Sequence, residues 1–259
     1  MSLIIPSCIS LSCIFMYNLF LFLLYTKKVP LFEQFRVKKT QWPWESNPTE
    51  FRDGWRKAFN VILMNHFFYS PISAYISIVC SENKMNKKVE DFPSISDLVL
   101  HIFVFSIIHD FVFYWEHRLL HTPWFYKNIH KVHHEHKITT SLTTSYAHPI
   151  EYIFANLLPV GLGPMVLGRN CHIFTFYMWI IFVTFESIDG HTGYDFPWSP
   201  LRVLPFSTHP ALHDYHHSHN LGNYGAYFIF WDTFCGTNMY YRRYIEKCLK
   251  NKEESLEFK

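Results

Sequence analysis

Three clusters of histidine carry most of the chemistry that this sequence offers. They read His117-Arg-Leu-Leu-His121, His130-Lys-Val-His133-His134 and His213-Asp-Tyr-His216-His217. The chain has 17 histidines, and 14 of them lie between His117 and His219. Because imidazole is the commonest metal-ligating side chain, this concentration in spaced clusters indicates a metal site.

The spacing within each cluster predicts that the imidazoles converge. Positions i, i+3 and i+4 share one face of a helix, so each cluster can direct two or three rings at one place. Without partners, eight buried imidazoles would cost on the order of 10 kcal/mol, at about 1–3 kcal/mol for each unpaired group. Bound metal removes this cost, and eight ligands exceed the roughly four that one tetrahedral ion needs. The clusters therefore predict two ions, whereas His219 points off this face.

Two more histidines and two carboxylates are candidates for the same site. His191 follows the last apolar segment, and His148 precedes the segment before it. We expect His191 to be a ligand, and we leave the role of His148 open. Carboxylates commonly orient metal-bound imidazoles. Asp110, seven residues before His117, and Asp214, inside the third cluster, are the candidates for this role.

Long apolar stretches must position these residues. Residues 3–25 contain no charge, and a helix of this length crosses a hydrocarbon core of about 30 Å. Neither the basic start nor the cleavage site of a signal peptide is evident, so we expect a retained transmembrane helix. Other apolar stretches cover 59–80, 98–116 and 150–186, the last being two spans or a re-entrant hairpin. We predict an all-α integral membrane protein with about four transmembrane helices and a cytosolic helical cap that carries the histidine clusters.

Charge gives the orientation of this arrangement. Residues 26–58, 117–149 and 187–259 hold 19 of the 23 Lys and Arg residues, which places them in the cytosol together with every dense histidine cluster. We divide the chain into membrane helices with a linker (1–116), a catalytic region (117–241) and a charged tail (242–259). The net charge of +2 gives no support for a nucleic-acid-binding surface. Six scattered cysteines without C-x-x-C fit neither a disulfide framework nor a thiolate zinc site.

The ligands alone do not name the metal, because imidazole suits zinc, copper, iron and nickel. At a membrane face, two irons could activate O₂ and oxidise a C–H bond of a lipid, whereas zinc would support hydrolysis through a bound water. No flavin or nicotinamide motif is visible, so an oxidation would draw its electrons from a separate protein. A histidine-rich metal transporter and a structural protein are the alternatives of another class.

The three clusters, in this order and between membrane segments, resemble the fatty acid hydroxylase/sterol desaturase superfamily. Within it, the chain is most similar to the sterol C4-methyl oxidases, or methylsterol monooxygenases. The similarity covers roughly residues 37–241. Beyond the clusters it rests on Trp42–Glu45, Asn60–Phe67, Tyr146–Pro149, Glu186–Pro197 and Trp231–Thr237.

This resemblance implies a di-iron monooxygenase of the endoplasmic reticulum membrane. It would take a sterol precursor from the bilayer and oxidise its C4 methyl group with O₂. Electrons would come from NAD(P)H through cytochrome b5 or a similar donor. The histidines of the three clusters, with His148 and His191, would bind the irons. A cholesterol 25-hydroxylase-like sterol hydroxylase is the alternative inside the superfamily, since Phe196–Ser199 and His216–His219 resemble that enzyme.

Overall fold

Helices build the part of the chain that the computed structural model describes, namely residues 4–73, 75, 85–203 and 206–257. The long ones are α1 (Ile4–Lys27), α4 (Pro48–Met64), α5 (Ile95–Leu120), α8 (Leu158–Leu167), α9 (Ile173–Gly190) and α12 (Met239–Glu257). The short ones are α2 (Pro30–Glu33), α3 (Pro43–Ser46), α6 (Pro123–Asn128), α7 (Pro149–Glu151), α10 (Pro210–His219) and α11 (Phe230–Phe234). Among these residues no strand forms, which confirms the predicted all-α fold.

Within the part of the chain that the structure describes, four helical segments are long and apolar enough to cross a membrane. They are Ile5–Lys27, Ile95–Leu120, Pro149–Asn170 and Ile173–Gly190. The predicted multi-pass architecture is therefore confirmed. Two of these segments lie largely within the stretch 150–186. The short helical turn Gly168–Asn170 ends the first of them, and the second begins at Ile173. The stretch 59–80 begins inside α4, and its positions 74 and 76–80 lie outside the described residues.

Close packing of α5, α8 and α9 forms the centre of the bundle. Gly163 of α8 lies directly against Phe105 of α5, where an added Cβ would stand only 2.5 Å from Cδ1 of that ring. Trp179 of α9 is fully buried, and its indole N–H donates to the carbonyl oxygen of Val160 at 3.0 Å. Since only glycine permits so near an approach, the position of α5, and of the histidines at its end, depends on Gly163.

An aromatic cluster fixes the polar end of the bundle. Tyr25 and Trp42 are buried with ring centroids 4.8 Å apart, and the Tyr25 hydroxyl donates to the carbonyl oxygen of Thr192 at 2.8 Å. Tyr194 stacks on Tyr25, with centroids 5.8 Å apart. Buried aromatic side chains of this size dominate local packing energy. The cluster thereby holds the segment after α1 against the residues that follow α9.

Two backbone pairings place the connecting segments at opposite ends of α9. Arg36 pairs with Tyr194, beyond the C-terminal end of α9, and Asn86 pairs with His172, just before its N-terminal end. The chain must therefore pass from one end of the bundle to the other between residues 36 and 86. This agrees with the topology that the charge distribution predicts, with 26–58 and 187–259 on one side and 81–97 on the other.

We predict that residues 39 and 88 lie on opposite sides of the membrane. Lys39 and Lys88 are both exposed, so each can be replaced by cysteine in a background that lacks the native cysteines. In sealed vesicles a membrane-impermeant maleimide should label only one of the two variants, and both after permeabilisation. Labelling of both variants in intact vesicles would contradict this topology.

Candidate metal centre

Nine imidazoles gather in two groups at the polar end of the bundle. The first group consists of His117, His121, His130, His134 and His216, and the second of His133, His191, His213 and His217. Within each group the ring nitrogens lie within 4.8 Å of one another. All these residues were candidates from the sequence, and most of them are buried.

The second and third clusters each contribute to both groups. His130 and His134 enter the first group, whereas His133, on the same 3₁₀ turn, enters the second. On α10 the pattern is reversed, because His213 and His217 enter the second group and His216 enters the first. Each of these two clusters thus directs two rings, four residues apart, at one group and its third ring at the other. Both groups are therefore held by the same two elements, the turn that begins at His130 and α10.

The Nε2 atoms of the rings face one another at short distances. In the first group, His121 lies 3.0 Å from His130 and 3.1 Å from His216, measured between Nε2 atoms. In the second group, His213 lies 3.0 Å from both His191 and His217. These rings therefore meet through the same nitrogen, on the inner side of each group.

His133 and His191 show that such contacts are not hydrogen bonds. Their Nδ1–H groups donate to the carbonyl oxygens of Tyr146 at 3.0 Å and Ser187 at 2.9 Å. Burial lowers the pKa of His133 to about 4 and that of His191 to about 3, so both rings are neutral at pH 7. Each Nε2 then carries a lone pair, and the two lone pairs face each other at 3.4 Å. A cation between them would replace this repulsion by ligation.

The measured separations fit the dimensions of metal–imidazole sites. With a metal–nitrogen bond of about 2.1 Å, neighbouring ligands stand about 3.0 Å apart at right angles and about 3.4 Å apart at the tetrahedral angle. The Nε2 distances of 3.0 to 3.4 Å in the second group span this range. Five rings in one group and four in the other suit one ion each. An all-imidazole donor set does not by itself choose among zinc, copper, iron and nickel.

Three further acceptors orient the rings of the first group. The Nδ1–H of His117 donates to the carbonyl oxygen of Tyr224 at 3.0 Å, and that of His216 donates to the carbonyl oxygen of Gly222 at 2.6 Å. The Nδ1–H of His130 donates to a carboxylate oxygen of Glu151 at 2.8 Å. Such partners fix the tautomer that leaves Nε2 free for a metal. Glu151, which lies near the clusters in sequence and was a weaker candidate than Asp110 and Asp214, is thus a carboxylate that orients a ring.

Asp110 does not orient an imidazole directly, in contrast to the sequence-based expectation. Its carboxylate accepts hydrogen bonds from the backbone N–H groups of Ala226, Tyr227 and Phe228, at 2.8 to 3.2 Å. Asp232 holds the preceding residues, with its carboxylate accepting from the N–H groups of Tyr224 at 2.9 Å and Gly225 at 2.8 Å. Two buried carboxylates therefore fix the loop whose carbonyl oxygen binds His117.

Asp214 also acts away from the rings. It accepts a hydrogen bond from the Thr139 hydroxyl at 3.3 Å and forms an ion pair with Lys38 at 2.7 Å. These contacts hold α10 against the segments that contain Lys38 and Thr139. Asp214, a candidate from the sequence, therefore has partners other than an imidazole, and these partners fix the position of the helix.

His148 lies outside both groups. Its Nδ1 accepts a hydrogen bond from the N–H of Ile150 at 3.2 Å, so it caps the N-terminus of α7. Pro149 occupies the first position of that helix, as proline often does. This placement gives no support for His148 as a ligand. His219 is outside the groups as expected, and it stacks on Tyr215 with ring centroids 4.2 Å apart.

A cavity of about 590 Å³ connects the two groups to the interior of the helix bundle. Its walls come from α1, α4, α5, α8 and α9 and are largely apolar, with Ile14, Phe113 and Val160 among them. His133 and His191 lie at its polar end. Ligand-binding cavities of small molecules have volumes of this order, about 300–1,000 Å³. The arrangement can therefore hold an apolar molecule against both candidate metal positions.

The region that forms the two imidazole groups is similar in sequence to known proteins. The family model described as fatty acid hydroxylase matches residues 102–237, which include all nine imidazoles. The chain is 40% identical, over 166 residues, to a very-long-chain aldehyde decarbonylase of Oryza sativa subsp. indica. That alignment covers 63% of this chain and 60% of the rice protein.

Two other relatives carry a different name. Methylsterol monooxygenase 2-2 of Arabidopsis thaliana is 41% identical over 154 residues, which are 58% of this chain and 57% of that protein. A relative in Dictyostelium discoideum that carries the methylsterol monooxygenase name is 34% identical over 221 residues, covering 83% of this chain and 76% of the relative. No solved structure matches the chain.

We predict that three histidines of α10 differ in their effect on metal content. His213→Ala and His216→Ala each remove a ring from one group, so each should lower the metal content below the two ions per chain expected of the unmodified protein. His219→Ala should leave it unchanged, because His219 belongs to neither group. Elemental analysis of the purified proteins measures this, and an equal loss in all three variants would contradict the two-group arrangement.

Proposed function

The chain belongs to the fatty acid hydroxylase family, and we propose that it is a membrane monooxygenase that oxidises the C4 methyl group of a sterol precursor with O₂ at two irons. The observation that carries the proposal is the position of two all-imidazole groups at the end of a largely apolar cavity. The relatives with the methylsterol monooxygenase name support the choice of substrate.

Oxidation of a lipid suits this cavity better than hydrolysis does. Its walls offer mainly aliphatic and aromatic surface, which binds a rigid hydrocarbon by burial of apolar area. A methyl group on such a skeleton has no leaving group for hydrolysis to displace. Iron held by the imidazoles would supply the O₂ activation that an unactivated C–H bond requires. Relatives of the family imply successive oxidation of the methyl group to alcohol, aldehyde and carboxylate.

The residues of the chain bind, orient and exclude water. The neutral imidazoles supply lone pairs, and hydrogen bonds from Nδ1 of His117, His133 and His191 to backbone carbonyl oxygens keep each ring in one tautomer. The helices around the cavity keep bulk water from the reacting carbon. Most of the helices that line the cavity are long and apolar enough to span a membrane. We therefore expect the sterol to enter from the bilayer rather than from the aqueous phase.

Electrons and protons must come from outside the chain. Insertion of one oxygen atom from O₂ consumes two electrons and two protons and releases water. By the family resemblance, the electrons originate from NAD(P)H and arrive through cytochrome b5 or a similar donor. The excess of Lys and Arg in 26–58, 117–149 and 187–259 supports a cytosolic position of the imidazole groups, in the membrane of the endoplasmic reticulum.

The placement of the imidazoles also argues against a metal transporter. Transporters bind their ions near the middle of the membrane, at the interface of repeated units. Here His117 lies in the last turn of α5, and His191 directly follows α9. Both groups therefore sit at the ends of long helices, beside the polar cap, where the substrate of an oxidation can meet a soluble electron donor.

Expression in cells that lack their own C4-methyl oxidase tests the proposed function. The unmodified chain should remove accumulated 4-methyl sterols, as measured by mass spectrometry. We expect His133→Ala to abolish this removal, because it takes a ring from the second group, and His219→Ala to retain most of it. Equal loss in both variants would speak against the site. A new 25-hydroxysterol, or consumption of fatty aldehydes with no change in 4-methyl sterols, would contradict the assigned reaction.

A further inference from the structure

Glu186 is a cavity-lining carboxyl that the groups described above do not use. It lies on α9, directly before Ser187, whose carbonyl oxygen accepts the Nδ1–H of His191. Its side chain lines the cavity and is otherwise enclosed by protein. Among the described residues, none forms a hydrogen bond or a salt bridge with it. An acidic group is thus available inside an apolar cavity, beside the second imidazole group.

The cation that acts on this carboxyl electrostatically is already engaged elsewhere. Arg202 donates from one Nη atom to Asp189 at 2.8 Å and from Nε to Asp195 at 3.3 Å. Withdrawal of a carboxyl from water without a hydrogen-bonding partner is unfavourable. Such a group persists most readily where a ligand supplies the missing partner.

Two side chains near Glu186 also have polar atoms without a hydrogen-bonding partner. The hydroxyl group of Tyr227 is buried without a hydrogen-bonding partner, and so is Nδ1 of His109. Their rings lie 4.8 Å apart, and both residues line the cavity. Trp179 and Phe182 surround them with apolar surface. These two polar atoms are not accessible from the cavity, whereas Glu186 is partly accessible.

We propose that Glu186 binds the hydroxyl group of the lipid substrate and so determines which end of the molecule meets the imidazoles. The inference rests on the proposed function and deepens it. In a sterol the hydroxyl group stands on C3, the carbon next to C4. A hydrogen bond to that hydroxyl beside His191 brings the C4 substituents towards the second group, and the rigid ring system extends along the apolar walls.

Binding without turnover tests this role. The full chain in lipid nanodiscs, without reductant, is titrated with a 4,4-dimethyl sterol and with its 3-deoxy counterpart. The unmodified protein should prefer the hydroxyl-bearing sterol by about 2- to 10-fold, as expected for a hydrogen bond between uncharged groups. Glu186→Leu should bind both sterols equally, since it removes the acceptor and leaves no protein partner unpaired. Glu186→Gln, which keeps a weaker acceptor, should give an intermediate preference.

Glu116→Leu is the matched control. One carboxylate oxygen of Glu116 is also buried without a partner, but Glu116 does not line the cavity, so the preference should remain. A preference that survives in Glu186→Leu would overturn the inference. So would an equal loss of affinity for both sterols, which indicates a structural role. Unchanged preference with lost turnover would point to proton supply and would overturn it too. If the unmodified protein binds neither sterol, the proposed function itself fails.

Discussion

Repulsion between buried lone pairs is the constraint on which the polar end of this molecule depends. Nine imidazoles are packed with their Nε2 atoms facing inward, and the pairs given above lie 3.0 to 3.4 Å apart. In rings such as His133 and His191 the other nitrogen donates to a carbonyl oxygen, so the inward nitrogen carries no proton. Such an arrangement is unfavourable unless cations lie between the rings. Metal ions held by these rings would thus stabilise this packing.

The helices and loops around the imidazoles fix the positions of the rings. Gly163 allows α5 and α8 to approach closely, and this fixes the end of α5 where His117 and His121 lie. Asp110 and Asp232 grip the loop that supplies a carbonyl oxygen to His117. Because the second and third clusters each reach both groups, neither group can move without the other. The apolar helices form the walls of the cavity, and the two imidazole groups lie at its polar end.

Much of this arrangement could be predicted from the sequence, because apolar length and i, i+3, i+4 spacing are local properties. The helical membrane fold and the gathered histidines follow from them. The division of the second and third clusters between the two groups does not, since it depends on how the turn at His130 crosses α10. Carbonyl acceptors such as that of Gly222 have no signature in the sequence. His148 illustrates the limit, because the same side chain serves as a helix cap when Pro149 follows it.

X-ray absorption spectroscopy at the iron edge of the purified, iron-loaded protein measures how many ions the two imidazole groups hold and with which ligands. We expect two ions per chain, each with a first shell of four to five nitrogen atoms and the outer-shell scattering of imidazole rings. A single ion per chain, or a first shell dominated by oxygen or sulfur, would contradict this expectation.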